Sequence, residues 1–348
     1  MVQDKDQTNK KLSQIWMSDD IKTLETKNAK YAIFSDLHLG DGGSADDFFH
    51  NEETMKTALT FYNENDYKLI LLGDIEELWQ FDLNQVVSKY DNSVYNKMRE
   101  FDNDRVYRIF GNHDYEWRSP VDPAMRNPRK HKGDPEALKM KDSDDAVKIL
   151  LVHGHQGSID SDKNSWISRF LVRGIFKPFE PIAKFLKFYG HPSATKSQVT
   201  TDYEQIMYAW AKKEKVILIC GHSHRAIFAS KSYADRLEDK IAELQADNIA
   251  HITEKKRVKN NKKKIKQLKR KLKEEKKKGR DIDPTDHDKE PLPCYFNSGC
   301  GLYTDGITNI EIVNDEIKLV KWHIDTTKVP RFVVYEKGIL SEIVGRIN

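Results

Sequence analysis

The chain has 348 residues, 38% of them apolar and 32% charged, which suits one large domain or one domain with a substantial insertion. No stretch approaches the ~20 apolar residues of a membrane span, and the polar start "MVQDKDQTNKKLSQIW" lacks the core of a signal peptide, so neither is expected. Cys220, Cys294 and Cys300 have no framework spacing and cannot all pair internally, so reduced thiols in a cytoplasmic protein are expected. The net charge of +3 conceals an asymmetry: residues 255–280 hold 16 Lys/Arg against 2 Glu, an excess of +14. That leaves about −11 on the remainder, an acidic body with one basic appendage.

In chain order, residues 1–28 are polar with a few apolar points, Leu12, Ile15 and Trp16, and read as an N-terminal tail or short helix. From 29 onward one pattern recurs: a short apolar run, then an abrupt cluster of Asp, His, Asn and Gly. Its five instances are "YAIFSDLHLGDG", "YKLILLGDIEELW", "RVYRIFGNHDYEW", "AVKILLVHGHQGS" and "KVILICGHSHR". Apolar runs of this length without alternation suit strands buried on both faces. Between them, spacings such as Met55, Leu59 and Tyr62 mark helix faces, so the expected class is an α/β layered fold. Ligands in such folds gather at the carboxyl ends of strands, where each polar cluster falls. After 290, short β-rich runs separated by Asp-Gly and Asn-Asp turns predict a meander, with strands alone, completing a two-sheet sandwich.

Six of the twelve histidines, at 38, 113, 153, 155, 222 and 224, sit in these clusters. One Asp-x-His at a strand end is ordinarily a hydrogen-bonded turn. Five clusters, all at the ends of apolar runs, point instead to a metal site. Carboxylate, imidazole and amide oxygen together suit Mn²⁺, Fe or Zn²⁺ rather than a thiolate zinc site. Two such ions about 3.5–4 Å apart can clamp an in-line phosphoryl displacement, given a bridging carboxylate and a proton donor near the leaving oxygen.

The set Asp36-x-His38, Gly73-Asp74, Gly111-Asn112-His113-Asp114, His153-Gly154-His155 and Gly221-His222-Ser223-His224 resembles the five motifs of the calcineurin-like metallophosphoesterases in order and spacing. The resemblance implies a β-sandwich flanked by helices with a dinuclear site at one edge. It implies that Asp36, His38 and His224 hold one ion, that Asp74 bridges, and that Asn112, His153 and His222 hold the second. His113 is then the group at the leaving oxygen and Asp114 the carboxylate that aims it. His155 is either a hydrogen-bond donor behind the ligands or a turn residue. The cofactors implied are two divalent ions, Mn²⁺ first, with Fe or Zn²⁺ as alternatives.

"GDIEELW" places Glu77 and Trp79 three and five residues after Asp74, which looks like the version found in UDP-2,3-diacylglucosamine hydrolases. Those enzymes cut a pyrophosphate beneath a helical lid that receives acyl chains. Trp79 could equally serve core packing. The segment "WISRFLVRGIFKPFEPIAKFLKFYG", 166–190, is apolar and basic like an interfacial helix pair, and makes 158–195 a lid-like segment. A helical pair simply packed on the sheet is the plainer alternative.

The metallophosphoesterase domain is therefore expected over 29–228 and 291–348, interrupted by a Lys-rich helical insertion over 229–290. Residues 231–278 contain no Gly or Pro. Leu237, Ile241, Leu244 and Ile252 suggest one apolar stripe, and Val258, Ile265, Leu268 and Leu272 another at coiled-coil-like spacing. An antiparallel hairpin turning near "KNNK", 259–262, fits better than one long helix. Its charge suits an anionic membrane surface or nucleic acid, unless it merely keeps a solvated arm soluble, and it offers a route to oligomerisation. The expected function is hydrolysis of a phosphorylated or nucleoside-diphosphate-linked lipid by a cytoplasmic, peripheral membrane enzyme. The rival reading is a phosphodiesterase or nuclease whose basic arm grips nucleic acid or nucleotides. A binding scaffold with a vestigial metal site is a third class, which the complete ligand set disfavours.

Overall fold

The computed structural model describes residues 5–102, 104–115, 136–142, 144–156, 198–277, 284–285, 288, 290–325, 327 and 329–348. The lid-like segment at 158–195 lies outside them. Helix α1, Lys5–Met17, buries Leu12 and Ile15, and β1, Thr23–Glu25, follows it, so the expected tail is a helix with an added edge strand. Then come β2 (Lys30–Phe34), α2 (Glu52–Glu64), β3 (Lys68–Leu72), α3 (Leu83–Tyr90), α4 (Val94–Arg99), β4 (Val106–Ile109), β5 (Ala137–Lys141) and β6 (Val147–Val152). The chain continues through α5 (Gln198–Glu214), β7 (Ile217–Cys220), β8 (Ala226–Phe228), β9 (Lys231–Ser232), α6 (Tyr233–Ala250) and α7 (Lys255–Lys277). It ends with β10 (Tyr295–Ser298), β11 (Ile307–Val313), β12 (Glu316–Ile324), β13 (Pro330–Ile339) and α8 (Leu340–Ile347).

The strands form two mixed sheets, ordered β13-β12-β11-β2-β3-β4 and β1-β5-β6-β7-β10-β8-β9. Strands β2, β3 and β4 pair in parallel, as do β6, β7 and β10, so their carboxyl ends open in common directions. Alternation along the central strands builds two cores. Tyr31, Ile33, Ile70 and Leu72 join Leu138, Ile149, Leu151 and Ile219 of the other sheet. Ala32, Phe34, Leu69 and Leu71, on the opposite face, pack with Met55, Leu59, Val86 and Met98 beneath α2–α4. Both faces of these strands are thus covered, which is why their sequences read as unbroken apolar runs. Beyond the seven-stranded sheet, α5 packs against α1, with Trp210 donating from Nε1 to Ser13 Oγ at 3.0 Å.

Two expectations need correction. The insertion is a hairpin of α6 and α7, but it turns at 251–254, and Asn261 of the "KNNK" stretch sits inside α7, donating to Asp247 at 2.7 Å. Ile252 lies in that turn and is 74% exposed, so it does not belong to the apolar stripe. The C-terminal section is not strands alone, because α8 closes it with Leu340, Ile343, Val344 and Ile347 buried. Cys220, Cys294 and Cys300 are buried and form no disulfide among the described residues. Among the described residues no helix is long and apolar enough to cross a membrane.

Candidate metal centre

Each polar cluster begins one to four residues beyond a strand: Asp36 and His38 after β2, Asp74 after β3, Asn112 and His113 after β4, His153 after β6, His222 and His224 after β7. The turns that follow are unusual. Asp36, His38, Asp74, His222 and His224 all have positive φ, between 51° and 68°. L-residues adopt this region at a cost that the surrounding structure must impose, and such positions cluster at functional sites. Here the loops are laced together by backbone bonds, from Asp36 N to Gly73 O and His38 N to Asp74 O, each 3.0 Å, and from Gly221 N to His153 O at 2.9 Å. The motif glycines allow the approach: a Cβ on Gly111 would run into the Asp74 carboxylate, and one on Gly221 into that of Asp36.

The result is three sets of donors, with ligand atoms within 4.8 Å of one another in each: Asp36, His38 and His224; Asp74, His153 and His222; and His38, Glu77 and His113. His224 Nε2 lies 3.3 Å from Asp36 Oδ1, and His38 Nε2 lies 3.1 Å from His224 Nε2. Asp74 Oδ2 is 3.1 Å from His153 Nε2 and 3.9 Å from His38 Nε2, so it stands between the first two sets, as a bridging carboxylate must. His153 Nδ1 faces Leu72 O at 2.9 Å, which turns Nε2 toward the centre.

The buried side-chain oxygen of Asn112 has no hydrogen-bond partner, and Asp74 Oδ2 and His153 Nε2 have none but each other, 3.1 Å apart. Each such omission costs about 1–3 kcal/mol, and native proteins seldom tolerate one without reason. A pair of divalent cations would satisfy all three, and the mixture of carboxylate, imidazole and amide oxygen fits hard-to-borderline ions. The donor set therefore accepts the metals that the sequence motifs imply.

The electrostatics agree. Burial alone would raise the Asp74 carboxyl, but His153, His113 and His38 hold it well below the ordinary carboxylate range. Burial would lower His153, yet Asp74 and Asp36 push it up to about 10. Burial likewise opposes His38, which Glu77, Asp74 and Asp36 raise to about 9. His222 is pushed down to about 3 by burial and by the charge of His153. Without metal, protons on two imidazoles take the place of the cations.

His113 stands beside the ligands, its ring edge-on to His38 at 4.8 Å, and its backbone N–H donates to Asp74 Oδ1 at 2.8 Å. Asp114 does not aim this imidazole. Its carboxylate accepts from Gly111 N at 2.7 Å and Ile75 N at 2.9 Å and pairs with Arg108 at 3.1 Å. Arg108 also pairs with buried Glu76. Asp114 therefore fixes the loop that carries Asn112 and His113. The carboxylate on His113 is Glu77, whose Oε1 lies 2.8 Å from His113 Nδ1 while Oε2 lies 2.8 Å from His38 Nδ1. One side chain thus orients a candidate metal ligand and the neighbouring imidazole together. Glu77 is part of the "GDIEELW" signature, but the sequence shows no reason to link it to a histidine 36 residues away.

Trp79 is likewise not simple core packing. Its indole stacks on His113 with centroids 4.0 Å apart and 20° between planes, and its Nε1 donates to Asn112 O at 2.8 Å. His155 lies beside His153, with ring centroids 5.5 Å apart. Ser298 and Asn297 of β10 were not legible as site residues. Ser298 Oγ is 2.6 Å from Ser35 Oγ, which bonds to Asp36, and Asn297 Nδ2 donates to Gly221 O at 2.6 Å. A cavity beside His224 runs on to Tyr233, Glu275, Lys321 and Tyr335, where the hairpin joins the body.

No curated protein matches the sequence. Among solved structures, a single-mutant Vps29 of Entamoeba histolytica is similar to this chain at 11% identity and a TM-score of 0.34, covering 88% of this chain and 99% of its own. The family model of calcineurin-like phosphoesterases matches residues 29–226, the span that delivers all five clusters to one edge of the sandwich. With that match over more than half its length, the chain belongs to the calcineurin-like phosphoesterase family.

Proposed function

We propose that the protein is a metal-dependent phosphohydrolase that acts at a membrane surface on a phosphoester or pyrophosphate carried by a lipid. The observation that carries the catalytic part is the convergence of Asp36, His38, His224, Asp74, His153 and His222 from four strand ends, together with a buried, unsatisfied side-chain oxygen on Asn112 at a fifth. Two divalent ions bound there, Mn²⁺ first, would supply Lewis-acid polarisation of the phosphoryl group and lower the pKa of water. The chain's own residues do the rest. Asp36, His38 and His224 hold one position, and Asn112, His153 and His222 the other, with Asp74 between them. His113, fixed by Glu77 and covered by Trp79, protonates or stabilises the departing oxygen. Asp114, through Gly111 and Ile75, keeps His113 and Asn112 in register with Asp74.

The lipid part is supported by sequence: the Gly-Asp-x-x-Glu-x-Trp signature, and the apolar and basic run at 166–190. The test is a hydrolysis panel at one salt concentration with saturating Mn²⁺: a UDP-linked acyl-sugar, a phospholipid, single- and double-stranded DNA, RNA and a chromogenic diester. Cleavage of the acyl-sugar or phospholipid with nucleic acid intact is expected. Nucleic-acid cleavage would overturn the lipid assignment in favour of a nuclease.

A further inference from the structure

The hairpin is anchored at its root and unsupported at its tip. Ala234, Leu237 and Ile241 of α6 are buried, Tyr233 stacks on Tyr335 with centroids 4.3 Å apart, and Arg236 and Lys240 pair with Glu336 at 3.3 and 2.7 Å. Beyond Ile241 the polar contacts run between the two helices, as when Asp247 takes Arg257 and Asn261. Nine further residues carry α6 about 13 Å outward. At that end stand Ile249 and Ile252, 76% and 74% exposed. Immediately beyond them α7 begins with Lys255, Lys256 and Arg257, and all fourteen Lys/Arg of Lys255–Lys277 are exposed. Only Arg257 and Lys276 form ion pairs among the described residues.

We infer that the hairpin tip docks on an anionic lipid surface, with Ile249 and Ile252 entering the acyl boundary and the basic side chains of α7 lying along the head groups. Exposed aliphatic groups flanked by a dense row of cations are the two components of interfacial binding. Nucleic acid would use the cations alone. Residues 255–277, which carry the cations, contain no aromatic side chain to stack on a base, and phosphodiester backbone offers nothing to the isoleucines. The root lines the cavity beside His224, so a docked tip would hold the metal centre close to the bilayer. As the membrane contact of the proposed lipid enzyme this inference rests on the reading above, and binding and turnover are therefore measured separately.

The experiment is flotation of the full, metal-loaded chain with vesicles of phosphatidylcholine, with and without phosphatidylserine, alongside turnover of a soluble chromogenic diester. Binding is expected only with phosphatidylserine. The double variant Ile249→Glu, Ile252→Glu should bind at least ~tenfold more weakly, with diester turnover unchanged. Absence of binding to phosphatidylserine vesicles, or equal binding by the double variant, would overturn the inference. So would a DNA duplex that displaces the vesicles and binds the double variant as tightly as the parent. Vesicle binding without diester turnover would support this inference and sink the catalytic reading instead.

Discussion

Glu77→Gln isolates the carboxylate that serves two imidazoles at once. Glu77 is 7% exposed and places Oε1 and Oε2 each 2.8 Å from a histidine Nδ1. The isosteric amide keeps one acceptor and presents an N–H₂ to the other ring, so one of the two charge-assisted hydrogen bonds must fail. A hydrogen bond to a charged group is worth about 1.5–3 kcal/mol. If the lost interaction is expressed in the transition state, that range is roughly a 10- to 150-fold fall in kcat/KM. If His38 is the ring released, metal affinity also falls, by about 10- to 100-fold, as for other carboxylates behind ligating histidines. The assay is steady-state hydrolysis of the chromogenic diester across a Mn²⁺ titration, which separates the two. Saturating Mn²⁺ rescues a weakened His38 and not a misoriented His113. A Glu77→Gln protein within threefold of the parent at both limiting and saturating metal would refute the reasoning.

Further consequences concern the neighbouring groups. His113→Ala should retain metal by elemental analysis while losing about 10²- to 10⁴-fold in kcat; loss of metal instead would make His113 a ligand. Asp114→Ala removes one of the two carboxylates around buried Arg108, and should cost about 3–5 kcal/mol in urea denaturation, far more than a surface change. Metal binding should release protons. Against burial, Glu77 raises His38 to about 9 and Asp74 raises His153 to about 10, so both rings are protonated at neutral pH in the metal-free site. Ligation needs them neutral, so affinity must fall as pH drops below these values. Calorimetric titration of Mn²⁺ in two buffers of different ionisation enthalpy reads the protons, and identical enthalpies would contradict the assignment.

Much of this was legible in sequence because the central strands are covered on both faces. The buried stretches of β2, β3, β6 and β7 are apolar, β4 is apolar but for the paired Arg108, and the polar residues that end each run mark its carboxyl end. The site was legible for the same reason, since strand ends converge whatever the loops do. The roles of carboxylates were harder to read. The family resemblance implied that Asp114 aims His113, but its short side chain is consumed by Gly111, Ile75 and Arg108, and Glu77 reaches the ring from another loop. The hairpin turn misled because 251–254 contains no Gly or Pro, whereas the Asn pair at 260–261 resembles a turn and instead lies within α7, where Asn261 faces Asp247. Helix α8 was readable: Leu340, Ile343, Val344 and Ile347 follow helical spacing, yet the β-rich run before them masked it. Strands of two or three residues, such as β1, β8 and β9, carry too little pattern to announce themselves.

The central claim is that Asp74 sits between two cations whose presence makes this site hydrolytic. It is tested most directly by loading the parent and Asp74→Ala with Mn²⁺, then measuring bound metal per chain and diester turnover on the same samples. Two equivalents and turnover in the parent, with metal and turnover both lost in the variant, are predicted. Undiminished turnover by Asp74→Ala would contradict the account.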